Sequence, residues 1–152
     1  MAGDLMQIVN AHGVSPQRLC SEITKGVLMD FDRAQHMLAE LVACGLLISI
    51  DDFGTGFSSL SYLKRFPIHE LKIARSFVDG MATNSDDRAI GSAIVAPARH
   101  LGMSVVAEGI EIADRHDQPD ASGCHHGQGY LHAHPLPPDA FAEWLRARSR
   151  TG

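Results

Sequence analysis

Two adjacent carboxylates close an apolar run. Residues 48–52 read Ile-Ser-Ile-Asp-Asp, and Phe-Gly-Thr-Gly follows. Two aspartates at the end of a buried strand are costly to desolvate unless something compensates them. A hard divalent cation taking oxygen ligands is the natural compensation. Asp51 and Asp52 therefore read as half of a metal site, and the rest of the chain must supply its partners. Glu22, Lys72, Glu108 and Gln128 sit on or beside other expected strands. Carboxylates about 4 Å apart can clamp two divalent ions, which activate a water and stabilise the leaving oxygen of an in-line phosphoryl displacement. Lys72 would orient the attacking water or offset charge on a phosphate. Glu108 would ligate metal or accept the proton of the water. Gln128 would position substrate. A lone strand-end aspartate is ordinarily a turn or helix cap. Glu22 or Lys72 alone would be an ordinary surface residue. The metal reading rests on the adjacent pair, the Gly-Thr-Gly turn and the matched Lys and Glu taken together.

The elements that must carry these groups follow from periodicity. A short helix is expected over residues 4–12, with Leu5, Ile8 and Val9 inward and Gly13 at its end. A weakly apolar strand over residues 19–24 carries Glu22. Ala34, Met37, Leu38, Leu41 and Val42 mark an amphipathic helix, capped by Asp30 or Asp32 and stopped by Gly45. Strands are expected over residues 46–52, 68–74, 104–107 and 128–131, the second carrying Lys72 and the third leading into Glu108. Between them lie a helix over residues 58–66 and one capped by Ser85, with Ile90, Ala93, Ile94, Pro97 and Leu101 as its apolar line. Residues 112–122 are polar, and Pro137-Pro138-Asp139 opens a last helix with Phe141, Trp144 and Leu145 inward. Strand and helix alternating at short spacing means a parallel sheet with right-handed crossovers. Functional groups of such a sheet gather at the carboxyl ends of its strands.

The composition, 45% hydrophobic and 20% charged over 152 residues, is that of a globular domain. A net charge of −5 argues against non-specific binding to a nucleic acid polymer or anionic lipid. No apolar run reaches membrane-span length, so no membrane insertion is expected. Three unpatterned cysteines, Cys20, Cys44 and Cys124, fit free thiols in a reducing cytoplasm. Cys124, His125, His126, His132 and His134 invite zinc, but their spacing matches no standard zinc module, so satisfied or exposed histidines are expected.

The segment Asp51-Asp52-Phe53-Gly54-Thr55-Gly56-Phe57-Ser58-Ser59-Leu60 closely resembles the signature of EAL domains, the bacterial cyclic-di-GMP phosphodiesterases. Glu22-Ile23-Thr24, Glu70-Leu71-Lys72-Ile73 with Arg75-Ser76-Phe77-Val78, Val106-Ala107-Glu108-Gly109-Ile110-Glu111 and Gln128-Gly129-Tyr130-Leu131 resemble further family strands in the family's order. The resemblance implies a variant (β/α)8 TIM-type barrel that hydrolyses cyclic-di-GMP to pGpG with two Mg²⁺ or Mn²⁺ ions. It implies that Glu22, Asp51, Asp52 and Glu108 ligate metal and that Lys72 stands near the attacking water. By the same resemblance Gln128 lines the substrate site, and Glu111 holds the loop after Asp51-Asp52. That loop, residues 53–59, and the next helix match the region coupling dimerisation to metal binding.

The chain also departs from the family pattern. The Glu-Ala-Leu motif and the asparagine strand are absent, and both would lie upstream of Met1. Residues 1–152 are thus expected to form a single truncated EAL-like domain, a partial (β/α)8 barrel with about the last five of eight strands. Such an arc calls for a second copy or a missing N-terminal half to cover its open edge. Ala74 stands where the family has an aspartate, Lys25 replaces a common glutamate, and His132 and His134 replace an aromatic and a basic residue. Pro97 falls inside a helix, at a cost of about 3 kcal/mol. His116 and Pro119 fall where a family helix would be apolar. The expectation is weak or absent hydrolysis by this chain alone. The alternative is a non-catalytic EAL-like module that binds nucleotide or a partner protein in signalling.

Overall fold

The computed structural model describes residues 2–53, 63–111 and 124–149. Its centre is a five-stranded, wholly parallel sheet in the order β1-β2-β3-β4-β5. The strands are β1 (Cys20–Thr24), β2 (Leu47–Phe53), β3 (Glu70–Ile73), β4 (Ser104–Glu108) and β5 (His126–Gln128). The helices are α1 (Ala2–Ala11), α2 (Phe31–Ala43), α3 (Arg75–Thr83), α4 (Ser85–His100) and α5 (Pro138–Ser149). Each strand pairs with the next in sequence, which is the connectivity of a barrel arc.

Alternation along the strands separates two faces. Ile48, Ile50, Leu71, Ile73, Val105 and Ala107 are buried and lie in one apolar cluster with Ala34, Leu38 and Leu41 of α2 and Ile94, Val95 and Ala98 of α4. The intervening residues are mostly polar, Glu22, Ser49, Asp51, Glu70, Lys72, Ser104 and Glu108, with the buried Val106 as an apolar exception. Glu22 pairs in register with Ser49, Ser49 with Glu70, and Glu70 with Ser104. The face without helices is therefore the would-be barrel interior, and it is lined with carboxylates and hydroxyls.

Several boundaries and faces differ from the sequence expectation. In α1, Val9 is buried but Ile8 is 60% exposed. The helix after Asp30 has the expected cap, with the Arg33 amide donating to the Asp30 carboxylate. It buries Ala34, Leu38 and Leu41. Helix α4 is capped by Asn84 rather than Ser85, through a 2.8 Å bond from the Asp86 amide. Its buried line is Gly91, Ile94, Val95 and Ala98, one residue round from the expected line, and Ile90 stays 46% exposed. Gly91 and Ala98 are small residues on this buried line, which a periodicity count of large apolar residues misses. Pro97 stays within α4, near its end, with its carbonyl accepting from the Leu101 amide. Helix α3 had no sequence signal: Ala74 at its start offers no capping side chain, and its first turn holds no acid. The last strand is His126–Gln128, ahead of the expected 128–131, because Gly129 turns the chain against the Ile110 backbone. Helix α5 forms as expected but buries none of its residues. The expected helix over 58–66 lies mostly outside the described residues. So do the dimerisation loop and residues 112–122. No helix among the described residues is long and apolar enough to cross a membrane.

Candidate metal and phosphoryl site

All five strands run the same way, so their carboxyl ends meet at one rim. Adjacent residues on a regular strand face opposite sides, and Asp51 and Asp52 would then be divided between core and interior. A register shift between Ile50 and Phe53 resolves this. Asp52 takes a left-handed conformation, φ 53°, an uncommon state for a non-glycine residue. The Asp52 amide donates to the Asp51 carboxylate at 2.9 Å. As a result one ligand oxygen from each of Asp51, Asp52 and Glu108 falls within 4.8 Å of the others. Three carboxylates at this spacing suit one hard divalent cation, so the donor set fits a Mg²⁺-type ion. The backbone strain at Asp52 is the local cost of forming the cluster.

Lys72 is the counter-charge. Its side chain is buried, and Nζ lies 2.7 Å from Glu108, 2.9 Å from Glu22 and 3.7 Å from Asp51. Burial disfavours the ammonium, but the hydrogen bonds to Glu108 and Glu22 and the Asp51 charge outweigh it, so the lysine pKa is raised. Glu108 is raised as well. Burial is the main cause, opposed by Lys72 and reinforced by Asp51 and Asp52. It is a carboxylate held nearer to accepting a proton than an exposed one.

Four residues expected at the site thus converge: Asp51, Asp52, Lys72 and Glu108. Glu22 reaches the group through Lys72 and is not one of the three clustered carboxylates. Gln128 pairs in register with Glu108 and, with Glu70, Val106, His126 and His132, lines a cavity of about 500 Å³. The carboxylate of Glu111 is taken by Arg75, which donates from both terminal nitrogens, the second at 2.8 Å. Arg75 was not expected in any role. A signal existed, because Arg75 and Glu111 lie 36 residues apart, as do Lys72 and Glu108. Ser49 was also passed over. Its hydroxyl is fully buried on the interior face without a hydrogen-bond partner among the described residues. Among the described residues, the acidic trio is the group of three or more such ligands that could hold a metal, and the Cys124–His134 segment forms none. His125 is committed elsewhere, its Nδ1 accepting from the Val105 amide at 3.0 Å.

Known proteins resemble this chain in sequence and fold. The EAL domain family model matches residues 1–135. The signaling protein YkoW of Bacillus subtilis is 42% identical over 138 residues, covering 90% of this chain and 17% of YkoW. The bifunctional diguanylate cyclase/cyclic di-GMP phosphodiesterase MucR of Pseudomonas aeruginosa is 47% identical over 127 residues, covering 83% of this chain and 18% of MucR. The chain therefore spans less than a fifth of the length of these two relatives. The structure of the MucR phosphodiesterase in complex with c-di-GMP superposes with a TM-score of 0.83 at 43% identity, covering 90% of this chain and 56% of that one. The manganese/cy-diGMP complex of Klebsiella pneumoniae BlrP1 at pH 9.0 gives a TM-score of 0.82 at 32% identity, covering 88% and 34%.

Proposed function

Because this chain belongs to the EAL domain family, we propose that it forms the Asp-Asp-Lys-Glu arc of a cyclic-di-GMP phosphodiesterase centre. The observation that carries the reading is the clustering of Asp51, Asp52 and Glu108 oxygens within 4.8 Å, with Lys72 bonded to Glu108. MucR and BlrP1 were solved with cyclic-di-GMP, and the BlrP1 complexes also contain manganese or calcium. Asp51, Asp52 and Glu108 would hold Mg²⁺ or Mn²⁺, which supplies Lewis-acid stabilisation and a water acidic enough to attack phosphorus. Glu22 would serve a second ion of a two-metal site on release from Lys72. Lys72 would orient the attacking water and offset phosphate charge. Glu108, with its raised pKa, would accept the proton of that water. Gln128, at the mouth of the neighbouring cavity, would hold the nucleotide, and Glu111 would steady the rim. A centre acting on a nucleotide second messenger would work in the cytoplasm.

In the 152-residue chain, Lys72 engages both Glu22 and Glu108, and Ala74 adds no carboxylate to the rim. Hydrolysis by this chain alone is then weak or absent until a second copy or an N-terminal half covers the β1 edge. The second reading, a non-catalytic module that binds nucleotide or protein, draws on the same Ala74 and Lys72 observations. Incubation with cyclic-di-GMP and Mn²⁺, followed by chromatography for pGpG, separates the two. Slow turnover abolished by Asp52→Asn supports the phosphodiesterase reading. Nucleotide binding with no pGpG, even beside the rest of an EAL domain, overturns it.

A further inference from the structure

Strands β3 and β4 each end in a pair of charged groups three residues apart. On β3 and the start of α3 these are Lys72 and Arg75, and on β4 and its exit they are Glu108 and Glu111. The inner pair, Lys72–Glu108, lies in the carboxylate cluster. The outer pair, Arg75–Glu111, repeats it one step toward solvent. Both Glu111 oxygens accept from the guanidinium, and Asp79 holds Arg75 Nε from behind at 3.5 Å. A planar fork on a carboxylate fixes direction as well as distance.

A second contact comes from the backbone. Gly109, between Glu108 and Ile110, takes φ 72°, and a Cβ built on it would overlap the Cβ, Cγ and Cδ of Arg75. The clash falls on the root of the Arg75 side chain, not its far end. Arg75 therefore lies flat against the residue that follows Glu108 while gripping the residue three beyond it. On the other side the Ile110 amide donates to Gln128 and the Ile110 carbonyl accepts from Leu131. The segment 108–111 is held between β5 and Arg75.

We infer that Arg75 is a positioning residue for the metal site: through Gly109 and Glu111 it fixes the backbone that carries Glu108 into the cluster with Asp51 and Asp52. This rests on the metal reading proposed above. Removing groups that orient metal ligands typically lowers metal affinity by about 10–100-fold. The test is Mn²⁺ binding to the full 152-residue chain, followed by electron paramagnetic resonance, with hydrogen exchange at the Ile110 amide and the thermal midpoint recorded in parallel. Arg75→Met is expected to weaken Mn²⁺ about tenfold and speed Ile110 exchange, with the metal-free midpoint little changed. Arg75→Lys, which keeps the charge and loses the fork, should recover part of the affinity. Glu111→Gln, milder for folding, should match Arg75→Met, and the double variant should be no weaker than either. Wild-type affinity in both Arg75→Met and Glu111→Gln, with binding lost in Asp52→Asn, overturns the positioning role and leaves the metal site standing. Failure of the unaltered chain to bind Mn²⁺ overturns both.

Discussion

Strand β3 and helix α5 treat their apolar residues in opposite ways. The strand has four residues, and Leu71, Lys72 and Ile73 are all buried. The helix has twelve and buries none, with Phe141 49% and Leu145 48% exposed. The strand is flanked by β2 and β4, covered on one side by helices, and capped on the other by its own ion pairs. The helix has a sound apolar stripe at i, i+3 and i+4, but the described residues do not bury it. Its aromatic residues cover one another instead, with Phe141 6.0 Å from the Trp144 ring and the Arg148 guanidinium 4.5 Å above that ring. An amphipathic pattern specifies a face, and burial also requires a partner for it.

The comparison can be broken at its strongest point first. Leu71→Ala should cost about 3 kcal/mol, seen as a lower urea midpoint with an unchanged slope. Next comes Lys72→Met, which strips the counter-charge from three carboxylates. Glu22 is half-exposed, so the loss should be nearer about 2 kcal/mol than the full cost of breaking a buried pair. Added Mn²⁺ should restore more stability to this variant than to the unaltered chain, in a thermal scan. A smaller effect is expected from pH. The folded-state pKa of Glu108 lies above the ordinary glutamate value of about 4.3, so the folded chain binds more protons just above that pH. Its contribution to stability then falls as pH rises through the window between the two values. Glu108→Gln should flatten that slope in metal-free urea titrations. The smallest effect belongs to Phe141→Ala, which should stay within about 0.5 kcal/mol of the parent. A large loss there would show that α5 is packed after all.

The sequence was most legible where residue type and position reinforce each other. Asp51, Asp52, Lys72 and Glu108 could be read because each is a charged residue in or at the end of an apolar strand, although it takes the register shift after Ile50 to bring Asp52 to the same rim as Asp51. The parallel order of the strands followed from their spacing. Arg75 was hidden because a surface arginine at the start of a helix is an ordinary sight, and only the spacing it shares with the Lys72–Glu108 pair pointed to Glu111. The left-handed turn at Asp52 was hidden too, since aspartate gives no sign of it that glycine would. The stripe of α4 was misread because its buried line includes the small residues Gly91 and Ala98, which a count of large apolar residues passes over in favour of Ile90.

The sheet order has a consequence for how the molecule is made. Every strand pairs with its predecessor in the chain, so each can dock on a template that has already left the ribosome. At about 5–20 residues per second, the 36 residues from Ile73 to Glu108 take about 2–7 s to synthesise. For that interval the nascent chain carries Glu22, Asp51 and Lys72 without the glutamate that completes the group. Ribosome-stalled intermediates of graded length would show protection of β3 rising in two steps, the second when β4 emerges.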